Sequence, residues 1–197
     1  MNYCNISDIE NYKLKEIDSV FESQVEAWIE AVSLMMDNMA NRKLVAEIIG
    51  SGDDYETKYY DGDSTNNLFI DDAQEITELT ISDEFGDNPT TLTSSEYAIT
   101  PKTAPHKKII LRDTYFPYGV QNITVKGNFG LFNEVPNDIR FACVVIVSGI
   151  INANDPANKD KTSESIGNYS VSYDSDKGIA DYSRALSIID YYRKIQY

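Results

Sequence analysis

The sequence predicts an α+β fold: a helical-bundle core of about four helices, an inserted antiparallel β subdomain, and an extended arm before the C-terminal helix. Three observations carry this expectation. Apolar residues recur at steps of three and four near both ends of the chain. From Gly50 the pattern changes to short β-rich pieces punctuated by Gly, Asp, Asn and Pro. Between that block and the last stripe lies the most apolar stretch of the chain, Val135 to Asn154. The expected organisation is 1–49 as N-terminal helices, 50–134 as the inserted β subdomain, and 135–197 as core helix, arm and C-terminal helix, forming one structural domain with 1–49.

Ser7 to Glu10, S-D-I-E, fits a capping box and opens a short helix to about Leu14. A second helix follows to about Ala40, with Ile17, Phe21, Val25, Trp28, Val32, Met35 and Met39 on one face and an acidic set, Glu22, Glu26, Glu30 and Asp37, between them. Candidate strands are Tyr55 to Tyr60, Asn67 to Ile70, Glu75 to Ser82, Glu96 to Ile99, Lys107 to Arg112 and Val120 to Gly127. In the last, Ile123 and Val125 alternate with Thr124 and Lys126, the mark of a half-buried strand.

Val135 to Asn154 is either a buried strand or a helix apolar nearly all round, and length decides for the helix. Pro136 suits a first turn, and Asp138 there complements the positive end of the helix dipole. The β-branched run Val144 to Val147 argues against it by only a few tenths of a kcal/mol per residue, which burial outweighs. Ile166 to Tyr173 returns to alternation, with Tyr169, Val171 and Tyr173 on one side and Ser170 and Ser172 on the other, as a strand or an extended arm. The last helix runs from Ile179 to about Ile195, with Arg193 and Lys194 in its final turn.

The chain has 197 residues, with 17 Lys and Arg against 32 Asp and Glu, a formal charge of −15. Such a surface repels phosphate backbones and disfavours a module that grips nucleic acid through its bulk. No charged-then-apolar leader opens the chain, and the apolar run is too short to span a bilayer. A soluble protein made in a cytosol, with no membrane partner, is the expectation. Cys4 and Cys143 are far apart in sequence and offer neither a metal spacing nor a disulfide framework, so Cys143 reads as a small core residue.

No set of residues assembles a nucleophile, a base and an oxyanion site, and no catalytic residue, cofactor or metal is expected. The single histidine, His106, lies in a Pro-flanked turn among lysines and beside no nucleophile. Asp53-Asp54, Asp61-Gly-Asp63 and Asp71-Asp72 read as turn residues. Asp61 to Asp72 can be laid on a calcium loop, but Asn66 replaces the glycine at its sixth position and Asp72 the glutamate at its twelfth. Gly127-Asn-Phe-Gly130 lacks the Lys and Ser/Thr of a phosphate loop and reads as a turn. Lys107, Lys108 and Arg112 read as a solvated strand edge.

The order of elements, with the segments Ile123 to Gly130, Val135 to Ala142, Ser163 to Tyr173 and Ala185 to Tyr192, and more loosely Tyr3 to Leu14, resembles the tailed-bacteriophage head-tail connector proteins, also called adaptors or head completion proteins. The resemblance implies a non-enzymatic virion structural protein at the neck. It implies a homo-oligomeric ring, commonly dodecameric, beneath the portal protein, with a stopper or tail-completion protein docked on it. Genomic DNA would pass through the ring without specific binding. In the family the C-terminal region engages the portal and the segment around the Tyr-Ser motif lies at subunit contacts. Carried to this chain, that implies an interface through Ser165, Ile166, Tyr169, Val171, Tyr173, Tyr192, Arg193 and Tyr197. The larger β block departs from the compact members of the family. The competing reading is an acidic β-rich surface-binding module, dependent on sugar or calcium.

Overall fold

The computed structural model describes residues 1–47, 55–154, 163–166, 169–172 and 175–194, the stretch from 163 to 180 through its backbone. Its elements run α1 (Ile6–Lys13), α2 (Glu22–Ala40), β1 (Glu56–Gly62), β2 (Asn67–Ile81), β3 (Thr90–Thr91), β4 (Tyr97–Thr100), β5 (His106–Leu111), β6 (Gly119–Phe129), α3 (Asn137–Asn154), β7 (Ser163–Ile166), β8 (Tyr169–Ser172) and α4 (Ser175–Tyr191). They divide into two compact units: residues 1–41 with 135–197, and residues 42–134.

In the first unit α3 packs against α1, α2 and α4. Contact on several sides explains why the helix is apolar nearly all round: Ile139 and every residue from Ala142 to Ser148 are buried. Each buried Val or Ile contributes about 1.5–3 kcal/mol relative to exposure. Pro136 sits just before the first turn, and its carbonyl accepts the Arg140 N–H at 2.9 Å. Gly149 stands on the exposed side of α3, where an added Cβ would meet nothing within 4 Å. Gly149→Ala is therefore expected to raise stability by about 0.5–1 kcal/mol through helix propensity, read as a higher denaturation midpoint at unchanged slope.

Three helices differ from expectation. The capping box lies two residues earlier than Ser7: Asn5 Oδ1 accepts the Asp8 N–H at 2.8 Å, and Asp8 Oδ2 accepts the Asn5 N–H at 3.0 Å. Asn caps as well as Ser, so the first suitable side chain takes the position. In α2 the buried stripe keeps Val25 and Val32 of the predicted one and takes Ile29, Met36 and Ala40, with Ser33, in place of Trp28, Met35 and Met39. Phe21 precedes the helix and is 60% exposed. α4 starts and ends about four residues early, so Arg193 and Lys194 follow it rather than closing its last turn.

The second unit is a six-stranded antiparallel sheet in the order β1-β6-β2-β5-β4, with β3 paired to β2. Asn67 to Ile70 and Glu75 to Ser82, expected as two strands, are one strand of 15 residues. β2 shifts register between Phe69 and Ala73, between Ala73 and Glu75, and again between Ile76 and Glu78. Its first half pairs with β5 and its second with β6 and β3. Asp71 and Asp72 thus lie in an irregular strand, not a turn. Asp72, 5% exposed, is balanced by Arg42 at 3.3 Å and Lys107 at 3.8 Å, which is how a carboxylate is tolerated there. Gly127 and Phe129 belong to β6, so the Gly-Asn-Phe-Gly segment is a strand end rather than a turn.

The sheet has its own apolar interior, built from Leu68, Ile70, Leu79, Ile109, Leu111, Phe116, Ile123, Val125 and Phe129. The expectation of a helical-bundle core is therefore overturned. Four helices and a six-stranded antiparallel sheet make an α+β fold in which the sheet unit carries a core of its own. Alternation hides this in the sequence, because each strand shows its buried residues diluted by the outward ones. Of the two readings of Ile166 to Tyr173, the strand is the one found: β8 pairs antiparallel with β7, Ser163 with Ser172 through Ile166 with Tyr169.

Residues 43–46 run beside 131–132, with the Leu131 N–H donating to Lys43 O at 3.0 Å and the Ala46 N–H to Phe132 O at 2.8 Å. This short parallel pairing closes the two ends of the second unit on one another, the arrangement that lets an insertion leave and rejoin a host at one place.

Candidate interaction site

Two strands and the end of a helix position the residues expected at an interface. The register of β7 and β8 places Ser165 opposite Ser170, Ile166 opposite Tyr169 and Glu164 opposite Val171. With a two-residue strand period, positions 164, 166, 169 and 171 form one set and the serines 163, 165, 170 and 172 the other. Tyr173 and Tyr197 lie outside the described residues.

Tyr192 and Arg193 follow α4 in a turn, their N–H groups donating to Ile189 O and Asp190 O at 3.1 Å each. The Tyr192 hydroxyl donates to Asp138 Oδ2 at 2.7 Å, while the other oxygen of Asp138 accepts the Ile139 N–H at 2.9 Å. Asp138 thus serves α3 twice, as an acidic residue in its first turn and as the anchor for the chain leaving α4. The Lys194 N–H donates to Ala40 O at 2.8 Å, so the same turn also satisfies the end of α2. Arg193 pairs with Asp190 at 3.2 Å in an exposed contact. Arg140, the other polar exception near the start of α3, lies 4.0 Å from Asp8.

Burial and the Asp138 carboxylate push the Tyr192 hydroxyl from about 10 up to about 12. Below pH 10 folded and unfolded chains both hold this proton, and the contribution of the contact is complete. It is lost as pH rises from about 10 to about 12, so stability declines over that window. Tyr192→Phe is expected to cost about 1 kcal/mol at neutral pH. The variant should also lose less stability than the parent between those pH values, measured by denaturant titration at each pH.

Several large apolar side chains stand in solvent that the sequence pattern does not single out. In the helical unit these include Leu14 at 92%, Val20 at 80% and Phe21, around the α1–α2 connection, and Tyr191 at 82% beside the anchored Tyr192. In the sheet unit they include Phe69, Phe85, Tyr115, Tyr118 and Val120. Clustered apolar exposure marks contact surfaces better than burial does. Only the unexpected turn between α1 and α2 could have signalled the first group.

The residues weighed for chemistry fall apart spatially. His106 opens β5, its Nδ1 lying 2.8 Å from Pro101 O. Asp63 is held by Thr65 at 2.7 Å. Asn122 is buried, its side chain bonding the Gly62 N–H and the Pro117 carbonyl. Among the described residues no three His, Cys, Asp or Glu side chains gather as a metal site would require, and no helix is long and apolar enough to cross a membrane.

Two solved structures share this fold over nearly its whole length. A chain from the neck of an empty gene transfer agent particle, computed with C6 symmetry, superposes with a TM-score of 0.60 at 8% identity, covering 98% of this chain and 90% of that one. A chain from the virion of the native gene transfer agent particle gives 0.52 at 11% identity, covering 97% and 89%. At these identities the likeness is one of fold. No curated protein sequence matches. The sequence model of the head completion proteins matches residues 5–195, and the chain accordingly belongs to the head completion protein family, structural components of virions.

Proposed function

We propose that the chain is a neck connector: a subunit of a homo-oligomeric ring beneath the portal protein, which extends the DNA channel and offers a docking surface to a stopper or tail-completion protein. The observation that carries this reading is the family match over residues 5–195, joined by fold likeness to a chain that sits in a particle neck. The sixfold symmetry used for that neck supports a ring of six or twelve copies. Each copy would use heterologous, head-to-tail contacts that close by rotation. The hairpin β7–β8 and the turn after α4 are the surfaces assigned to them, through Ser165, Ile166, Tyr169, Val171, Tyr173, Arg193 and Tyr197. Tyr192 acts there by holding the turn against Asp138. The protein acts by protein contact, without a reaction of its own.

A charge of −15 suits a conduit, because a net-acidic wall repels the duplex passing through it. The test mixes the purified chain with the portal protein of the same particle and images the product. Rings stacked on the portal are expected, and failure of the two to associate at micromolar concentration overturns the reading. In the same preparation a duplex mobility shift at low salt should show no tight binding; tight, salt-sensitive retention would contradict the conduit.

A further inference from the structure

Beyond the interfaces lies a pair of sulfur atoms that the function does not use. The segment before α1 is pinned to α2: the Tyr3 N–H donates to Ser33 Oγ at 3.0 Å, and the Tyr3 hydroxyl to Asp37 Oδ1 at 2.5 Å. Ser33 in turn donates to Ile29 O at 2.7 Å. This anchoring lays Cys4 against Cys143 of α3, with the two Sγ atoms 3.3 Å apart across 139 positions of sequence. Both thiols are free and buried. Cys4 nevertheless lines an open cleft of about 950 Å³ that it shares with Asp8, Glu30 and Arg140, so a small solute can reach the Cys4 side of the pair from solvent.

We propose that Cys4 and Cys143 are a disulfide-forming site, oxidised by a small peroxide to a covalent link between the segment before α1 and the central helix. The pair is asymmetric in a way that suits the step. The hydrogen bond from Cys4 draws the Cys143 thiol down, whereas the contact with Cys143 and burial push Cys4 up. Cys143 is therefore the nucleophile. Its thiolate attacks one oxygen of hydrogen peroxide; an S–O bond forms, the O–O bond breaks, and hydroxide leaves to take up the proton Cys143 had lost. The Cys4 sulfur then attacks the sulfenic sulfur; the S–S bond forms, the S–O bond breaks, and water leaves with the Cys4 proton. Two thiols and one peroxide become one disulfide and two waters, with two electrons passing from sulfur to oxygen.

A reducing cytosol keeps such a pair open during synthesis, and an oxidising medium closes it afterwards. Closure joins residues that only noncovalent contacts hold together in the reduced chain and raises resistance to unfolding. The chemistry stands independently of the neck assignment, and its failure would leave that assignment in place.

The test treats the purified full chain with equimolar hydrogen peroxide, denatures it, alkylates with iodoacetamide and measures intact mass and a non-reducing peptide map. The expected result is a mass loss of about 2 Da with no alkylation. One peptide pair should join Cys4 to Cys143, and the melting temperature should rise and fall back with dithiothreitol. Cys4→Ser and Cys143→Ser should abolish the rise. Full alkylation of both cysteines after oxidation would overturn the proposal. So would sulfinic or sulfonic acid at Cys143 without a link, or disulfides only between chains. The map is made on the parent chain, so a poorly folded variant does not rescue the idea.

Discussion

Gly130→Ala is expected to destabilise the sheet unit by about 3 kcal/mol or more, a large part of the 5–15 kcal/mol that holds a domain together. Gly130 follows β6 where residues 43–46 cross beneath it. A Cβ there would stand 2.2 Å from the Ala46 nitrogen and 2.6 Å from the Val45 carbonyl carbon. Both are backbone atoms, so no side chain can rotate away. Relief would have to come from parting strands that Gly130 itself ties: its N–H donates to Asp72 O at 2.7 Å, and its carbonyl accepts from Gln74 Nε2 at 3.1 Å. The shift would also disturb the place where Asp72 meets Arg42. Urea denaturation should show a much lower midpoint, and a loss below 1 kcal/mol would mean the crossing is looser than described.

The second large effect belongs to α3. Val147 is fully buried near the middle of a helix flanked by three others. Val147→Asp would place a carboxylate in that apolar interior, at a cost of several kcal/mol whether the group ionises or takes up a proton. The helical unit is expected not to fold, with loss of helical circular dichroism and early proteolysis of α4. Gly149→Ala, two residues away on the exposed side, is the matched control, because it should be neutral or stabilising. Equal damage from both would contradict the orientation assigned to α3.

These two positions differ in how far the sequence could announce them. Val147 stands in an apolar run too long for a strand, and burial on every side is the one environment such a run suits. Gly130 looked like a turn residue, since nothing local reveals that residues 43–46 will pass within reach of it. The α2 stripe was legible through Val25 and Val32, with Ile29 and Met36 in the places given to Trp28 and Met35, because both sets fit the same period. The core of the sheet was obscured for a different reason: its register shifts around Asp72 break the alternation where β2 bends. Asp71 and Asp72 then read as a turn, although Arg42 and Lys107 make an interior carboxylate tenable. The pairing of Cys4 with Cys143 depends on Ser33 and Asp37 of α2 holding Tyr3 in place, and no spacing rule contains that. The strands of the hairpin were half legible, as alternation without a partner.

Exposed Leu14, Val20 and Phe21 show the same limit from the other side. Phe21 completes the helical period on paper, yet α2 begins after it and leaves the ring in solvent. A protein that works by contact is expected to keep such residues outside, and period alone cannot separate them from core.

The connector reading is tested most directly in the particle itself. In lysates of a phage mutant lacking this chain, electron microscopy should show DNA-filled heads and separate tails. Adding the purified protein should join them into infectious particles bearing a ring between portal and tail. Normal tailed particles in its absence, or heads that never fill while adding the protein changes nothing, would contradict a role in completing the head at the neck.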